Sequence, residues 1–284
     1  MSEPLRDVLV RHPSVAFESQ EFLAAHWEQS GYTACPDFFQ ACSDFDKFVE
    51  VLESSGATIH EMDDEVDAGM DSLYVHDPAL TIGNGIVLGR MGKEERRNEA
   101  AAFEAYCRSR NILILGRIES PGLLEGGDVI WLDEQTLAVG LGYRTNKEGV
   151  RQLRKIVENV VEEIIPVPLP HFRGPGDVLH LMSLISPVAR NKAVVYRKFL
   201  PVPFLRTLKE LKYALIDVPD DEYDKLGCNV LAISPTVAIV AEGTPKTRAK
   251  LEDEGIRVLS YPPGEISLKG QGGPTCLTRP LVRR

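Results

Sequence analysis

The chain repeats itself, and that constrains its fold more than anything else in the sequence. Asp71-Ser-Leu-Tyr-Val-His-Asp77 leads through a Gly-Asn-Gly turn to Gly85-Ile-Val-Leu-Gly-Arg90, a helical stretch over 94–109 and Ile112-Leu-Ile-Leu115. The order recurs from Gly126-Gly-Asp-Val-Ile-Trp-Leu132 to Thr136-Leu-Ala-Val-Gly140, a helix over 146–160 and Ile164-Ile-Pro-Val167. It recurs from Asp177-Val-Leu-His-Leu-Met-Ser-Leu184 to Ala193-Val-Val-Tyr196, a helix over 204–212 and Ala214-Leu-Ile-Asp217. A fourth copy runs from Cys228-Asn-Val-Leu-Ala-Ile233 to Val237-Ala-Ile-Val240, a helix over 245–254 and Arg257-Val-Leu-Ser260. Period-two segments followed by helical spacing read as a strand–strand–helix–strand module. The markers Asp71, Asp128, His180, Asn229 and Cys276 are spaced by roughly 50 residues, the range of propellers and solenoids.

A fifth module assembles from both ends of the chain. Leu5-Arg-Asp-Val-Leu-Val10, a helix over 44–55 and Thr58-Ile-His-Glu61 lack a first strand, which Cys276-Leu-Thr-Arg-Pro-Leu-Val282 can supply. Closing the ring with the last segment leaves no open edge strand. The expectation is an α/β fold: one domain over 1–284, a five-module (ββαβ) propeller with pseudo-fivefold symmetry, against the plainer alternative of an ordinary α/β or α+β domain.

Composition narrows the function classes. Lys+Arg number 32 against Asp+Glu 42, a formal charge of −10. Nucleic-acid binding is disfavoured, because phosphate contacts need a dense basic patch. No apolar run reaches the roughly 18 to 20 residues of a membrane span, and Met1-Ser-Glu-Pro-Leu-Arg-Asp7 has no basic-then-apolar pattern. The expected location is the cytoplasm. Cys35, Cys42, Cys107, Cys228 and Cys276 are an odd set without a CxxC pair, so neither a disulfide scaffold nor a structural zinc site is expected.

If the modules superimpose, their polar markers meet on the axis: Asp71 and Asp77, Glu125 and Asp128, His180, Asn229 and Cys276. Carboxylates, a histidine and a cysteine in one place make a thiol active site. Cys276 follows Gly270-Gln-Gly-Gly-Pro-Thr275, small residues that let a substrate approach the backbone. The same pattern also fits a turn before a buried thiol. His180 suits proton transfer at neutral pH, with His171 as a competitor on a loop. Period two places Asp71 and Asp77 on one strand face, where two carboxylates would suit a cationic ligand. Arg96, Arg97 and Arg144 fall on loop-to-helix connections, as surface charge or as a rim that captures a carboxylate.

These segments resemble the guanidino-group-modifying enzymes, which include arginine deiminase, glycine amidinotransferase and dimethylarginine dimethylaminohydrolase. Leu-Glu125-Gly-Gly-Asp-Val, Val-Leu-His180-Leu-Met-Ser, Gly-Gly-Pro-Thr-Cys276-Leu-Thr and Asp71-Ser-Leu-Tyr-Val-His-Asp77 carry the likeness, together with Arg96-Arg97 and Arg144-Thr-Asn-Lys-Glu-Gly149. The likeness runs essentially from end to end and is greatest to the dimethylaminohydrolases.

The resemblance implies Cys276 as nucleophile, His180 as general acid/base and Glu125 as its partner. It further implies Asp77 as guanidinium clamp, and Asp71, Arg96 and Arg144 as contacts to the amino-acid end of a small guanidino substrate. The implied reaction turns arginine or an N-methylated arginine into citrulline plus ammonia or alkylamine, through a covalent thiouronium, with no metal or organic cofactor. Two departures stand out. His76 occupies the place of a glutamate, as a substrate contact or an outward neighbour, and Met182 replaces an aspartate found in deiminases and amidinotransferases. Amidino transfer to an amine, hydrolysis of another guanidine and a non-catalytic binding propeller are the alternatives.

Overall fold

Each sheet of the protein repeats one pattern in the computed structural model, which describes residues 1–62, 68–177 and 179–284. The first helical layer, α1 (Pro13–Ala16), α2 (Gln20–Ser30) and α3 (Phe38–Ser54), links β1 (Leu5–Val10) to β2 (Thr58–Glu61). Next come β3 (Ala79–Ile82), β4 (Gly85–Leu88), α4 (Glu99–Ser109) and β5 (Leu113–Arg117). The third module holds β6 (Val129–Trp131), β7 (Thr136–Leu141), α5 (Lys147–Ile156) and β8 (Glu163–Pro168). The fourth holds β9 (Ile185–Ala189), β10 (Lys192–Val195), α6 (Val202–Glu210) and β11 (Ala214–Asp217). After the short α7 (Asp220–Tyr223) the fifth holds β12 (Leu231–Ser234), β13 (Val237–Ala241), α8 (Pro245–Asp253) and β14 (Arg257–Tyr261), and β15 (Arg279–Arg283) ends the chain.

The described strands form five three-stranded sheets, in which the middle strand runs antiparallel to the first and parallel to the third. The first sheet has the order β15-β1-β2, so the C-terminal strand takes the place of the missing first strand, with Leu9 opposite Arg279. This is the pseudo-fivefold α/β propeller expected from the repeat. Gly85-Ile-Val-Leu88, the middle strand of its sheet, is apolar and buried along its whole length, as expected for a strand covered on both faces.

Apolar burial follows the modules. Phe45, Phe48 and Leu52 of α3 anchor one cluster, Phe103 and Tyr106 of α4 another, and Val150 and Leu153 of α5 a third. Phe204 and Leu208 of α6 and Leu251 of α8 anchor the remaining two. The hydrophobic cores therefore lie around the ring, which leaves the axis to polar residues.

One expectation is corrected. The segments starting at Asp71, Gly126, Asp177, Cys228 and Cys276 are not strands from their first residues. They are single turns that precede the strand: 3-10 turns at Met70–Leu73, Gly126–Asp128 and Leu181–Ser183, and plain turns around 224–228 and 274–277. Val178 lies outside the described residues. An apolar turn buried on both sides carries the same alternation as a strand, so periodicity does not separate the two.

These turns close the ring with hydrogen bonds across every module boundary. Gly126 N donates to Asp77 O (2.7 Å), Leu181 N to Asp128 Oδ1 (2.9 Å) and Val230 N to Ser186 Oγ (3.2 Å). Thr275 N donates to Asn229 Oδ1 (3.0 Å), and His76 N to Cys276 O (3.2 Å). Each polar marker is thereby delivered to the axis. No described helix is long and apolar enough to cross a membrane.

Candidate active site

His180 is the centre of the axial cluster. Its Nε2 donates to Glu125 Oε2 at 2.7 Å, and its Nδ1 lies 4.0 Å from Asp77 Oδ1. All three side chains are buried. Glu125 is held in turn: its Oε1 accepts from Gly92 N (2.8 Å), and Arg144 Nη1 lies 3.6 Å away. Asp77 Oδ1 accepts from Gly127 N (3.2 Å) and Oδ2 from Arg96 Nη1 (2.9 Å).

Gly127 makes this convergence sterically possible. A Cβ there would come within 2.6 Å of His180 Nδ1 and 2.9 Å of Asp77 Oδ1, closer than nonbonded atoms allow. Gly127 is thus a spacing device for the carboxylate and the imidazole.

Burial alone would favour a neutral imidazole. The Asp77 charge, the Glu125 hydrogen bond and the Asp128 charge outweigh it and raise His180 to about 9. Burial likewise opposes ionisation of Asp77 and Glu125, yet His180 and Arg96 hold Asp77 well below the usual carboxylate range, and the His180 bond lowers Glu125. An imidazolium between two carboxylates is the resting state at neutral pH.

Cys276 lies across the cavity and obeys the opposite logic. Its thiol is pushed up to about 12, first by burial and then by the Asp77 charge, while hydrogen bonds from Asn229 and Gly273 pull it down. Asn229 Nδ2 donates to Sγ at 3.1 Å. A Cβ on Gly273 would meet Asn229 Cγ at 2.5 Å, so this glycine admits the amide that hydrogen-bonds the Cys276 thiol. A free thiol, not a thiolate, waits at neutral pH.

Cys276, His180, Asn229, His76 and Met182 line one cavity of about 330 Å³, the size of a small-molecule site. Its mouth is formed by Phe172, Arg173, Tyr223 and Leu268 among others. Asp77, Glu125 and His180 also bring three possible ligand atoms within 4.8 Å of one another. Arg96, Gly92 N–H and the His180–Glu125 bond already occupy this set, so a metal ion would have to displace them.

The expected substrate contacts are placed unequally. Asp71 and Asp77 do not share a strand face, but both approach Arg96, at 3.8 and 2.9 Å. Arg96 is buried rather than on a rim, and it also donates to both oxygens of Glu99 at 2.6 and 2.8 Å. Arg144 is buried as well, with Nη2 donating to Asp177 O at 3.2 Å. Arg97 is a half-exposed partner of Glu94, and exposed His171 bonds the Tyr143 hydroxyl at 2.6 Å, away from the axis. Sequence reasoning gave Asn229 no role of its own. Its place at the fivefold-related position was the available signal, whereas Thr145, which accepts from Glu125 N at 3.1 Å, carried none.

A sequence profile of the family described as arginine deiminase matches residues 65–207 and 202–283. The N(G),N(G)-dimethylarginine dimethylaminohydrolase of Streptomyces coelicolor is 30% identical over 275 residues, covering 97% of this chain and 96% of its own. Among solved structures, the fold is shared with the dimethylarginine dimethylaminohydrolase of Pseudomonas aeruginosa in complex with citrulline. That match has a TM-score of 0.76 and 24% identity over 97% of this chain and 98% of that one. It is shared too with the N-terminal domain of ArgZ, a cyanobacterial arginine dihydrolase, with a TM-score of 0.83 and 18% identity over 99% and 98%.

Proposed function

Since the chain belongs to the guanidino-group-modifying family represented by arginine deiminase, we propose that it is a cysteine-dependent amidinohydrolase in which Cys276, His180 and Glu125 perform the chemistry. Its substrate is arginine or an N-methylated arginine, and its products are citrulline and ammonia or an alkylamine. The observation that carries the residue assignment is the meeting of Cys276 and a Glu125-held His180 in one cavity.

A planar guanidinium enters beside Asp77, and its positive charge offsets the field that keeps the thiol protonated. Cys276 then loses its proton to solvent and the thiolate adds to the guanidinium carbon. A C–S bond forms and the adduct is tetrahedral. Glu125 occupies Nε2 of His180, so the Nδ1 proton passes to the departing amine nitrogen as its C–N bond breaks, leaving a thiouronium on Cys276. The now neutral His180 takes a proton from water, the hydroxide attacks the same carbon, and collapse breaks the C–S bond to release the ureido product. Asp77 is the guanidinium clamp, and Asp71, Arg96 and Arg144 order the polar wall behind it. Residues 1–284 act as a single propeller domain, because every module supplies one wall of the cavity.

The reaction suits the cytoplasm. All five cysteines are free, and a nucleophilic thiol survives best where disulfides do not persist. A panel of arginine, methylarginines, agmatine and guanidino acids, scored for ureido product and for released amine, tests the proposal. Ureido product from an α-amino guanidino acid is expected. A folded enzyme that forms none from any member of the panel overturns it.

A further inference from the structure

The arginines expected to read the amino-acid end of a substrate are engaged elsewhere. Arg96 is held by Asp77 and by both oxygens of Glu99, while Arg144 approaches Glu125 and donates to Asp177 O. Neither lines the cavity that contains Cys276 and His180. Among the described residues that do line it, Arg173 is the one arginine or lysine, and Asp224 lines it too.

These two charges are carried on an aromatic shelf. Arg173 comes from the connection between β8 and the His180 turn and Asp224 directly follows α7, and Arg173 Nη2 donates to Asp224 Oδ1 at 2.8 Å. The Arg173 guanidinium lies over the Phe172 ring, 4.7 Å from its centroid. Phe172 packs on Phe199 and Tyr223, with centroids 4.7 and 6.5 Å apart, and Tyr223 stacks on Tyr196 at 3.9 Å. The rings fix both groups at the opening, yet 50% and 70% of the two side chains face solvent. An exposed ion pair contributes only about 0–1 kcal/mol, so its partners are exchanged at little cost.

A substrate whose guanidinium sits beside Asp77 on the axis turns its far end toward this mouth. An α-amino acid end is itself one cation and one anion side by side, the complement of a carboxylate beside a guanidinium. We infer that Arg173 and Asp224 are the specificity-determining pair for that end: they part on binding, Arg173 takes the α-carboxylate in its planar fork, and Asp224 takes the α-ammonium. The inference rests on the amidinohydrolase reading and narrows its substrates to guanidines that carry both groups.

Steady-state kinetics with L-arginine, agmatine, which lacks the carboxylate, and 5-guanidinopentanoate, which lacks the α-amine, separate the two contacts. The parent should prefer arginine to either analogue by at least about tenfold in kcat/KM. Arg173→Gln should lower kcat/KM for arginine and 5-guanidinopentanoate by about tenfold, through KM, without lowering that for agmatine. Asp224→Asn should do the reverse, lowering arginine and agmatine and sparing 5-guanidinopentanoate. Arg197→Gln, in an exposed pair with Asp217 that does not line the cavity, should change none of the three. An unchanged arginine-to-agmatine ratio in Arg173→Gln overturns the inference and hands the carboxylate to Arg144, whose Nε and Nη1 have no hydrogen-bond partner. An unchanged arginine-to-5-guanidinopentanoate ratio in Asp224→Asn overturns it equally, as does a parent that prefers agmatine to arginine, and these results leave the amidinohydrolase reading standing. If the parent turns over none of the three, that reading falls and the inference falls with it.

Discussion

The two walls of the axial cavity are built on opposite electrostatic principles. The His180 wall is backed by Asp77, Arg96 and Glu125 and is made of full charges, with carboxylates, a guanidinium and an imidazolium interlocked at 2.7–4.0 Å. The wall from residues 76, 229 and 276 is neutral, holding an unprotonated imidazole, an amide and a thiol. Apart from Arg96, which lies between β4 and α4, these residues come from the same element, the turn before the first strand of a module. What differs is the company each turn keeps: the Glu125 turn packs against Gly92 N–H and Arg144, whereas the Cys276 turn packs against Asn229 and Gly273. His180 is thereby charged and Cys276 uncharged without substrate, the states from which the proposed mechanism starts.

Replacing Cys276 by alanine is the most drastic way to break this division. Turnover should fall by about ten-thousand-fold or more, while circular dichroism and melting temperature stay near those of the parent. Retained turnover at the parental rate would remove the neutral wall from the mechanism.

Glu125→Gln tests the charged wall and should lower kcat by about a hundredfold to a thousandfold. Its signature is a pH profile. In the proposed mechanism His180 must be protonated to release the amine, so kcat at saturating substrate should fall as pH rises through an alkaline limb at or below about 9, since the bound cation pulls the value down. Loss of the Glu125 bond should move this limb to lower pH. The same shift has a sign for stability. His180 is raised from 6.5 to about 9, so its contribution is fully present below pH 6.5 and is lost as pH climbs through 9. The melting temperature should decline over that interval in the parent, and less so in Glu125→Gln.

Asn229→Ala should have a smaller effect, about tenfold on kcat/KM. The hydrogen bond to Sγ favours the thiolate, so its loss should raise the pH needed for alkylation of Cys276 by iodoacetamide. An unchanged alkylation profile would show that the amide orients the loop without polarising the thiol. The smallest effect belongs outside the ring, where Glu148 and Arg151 form a solvent-facing pair at 2.7 Å. Glu148→Ala should leave kcat and KM within error, which marks how far from the axis the electrostatics matter.

Much of this was legible without coordinates, and the reason differs by residue. Asp128, His180, Asn229 and Cys276 could be found because a ring of equal modules must repeat its inward turn at equal spacing. The turns themselves were read as strands, since Asp71-Ser-Leu-Tyr-Val-His-Asp77 alternates like one while folding as a 3-10 turn. Helices α1 and α2 went unread because they are inserted within the first module, between β1 and α3, and have no counterpart in the other modules. Arg96 and Arg144 were legible as charges but not as buried ones: their partners Asp77, Glu99 and Glu125 come from other turns and helices.

The sequence by itself determined the module, its fivefold count, the completion of the first sheet by the last strand and the identity of the polar residues aimed at the axis. These follow from local periodicity and from spacing along one chain. Only the tertiary structure decided which residues carry charge. The protonation of His180, the neutrality of Cys276 and the fixed tautomer of His76 depend on burial and on partners as far as 202 residues away, as with His76 and Thr278. Ionisation is set by distance in space, and spacing along the chain does not encode it.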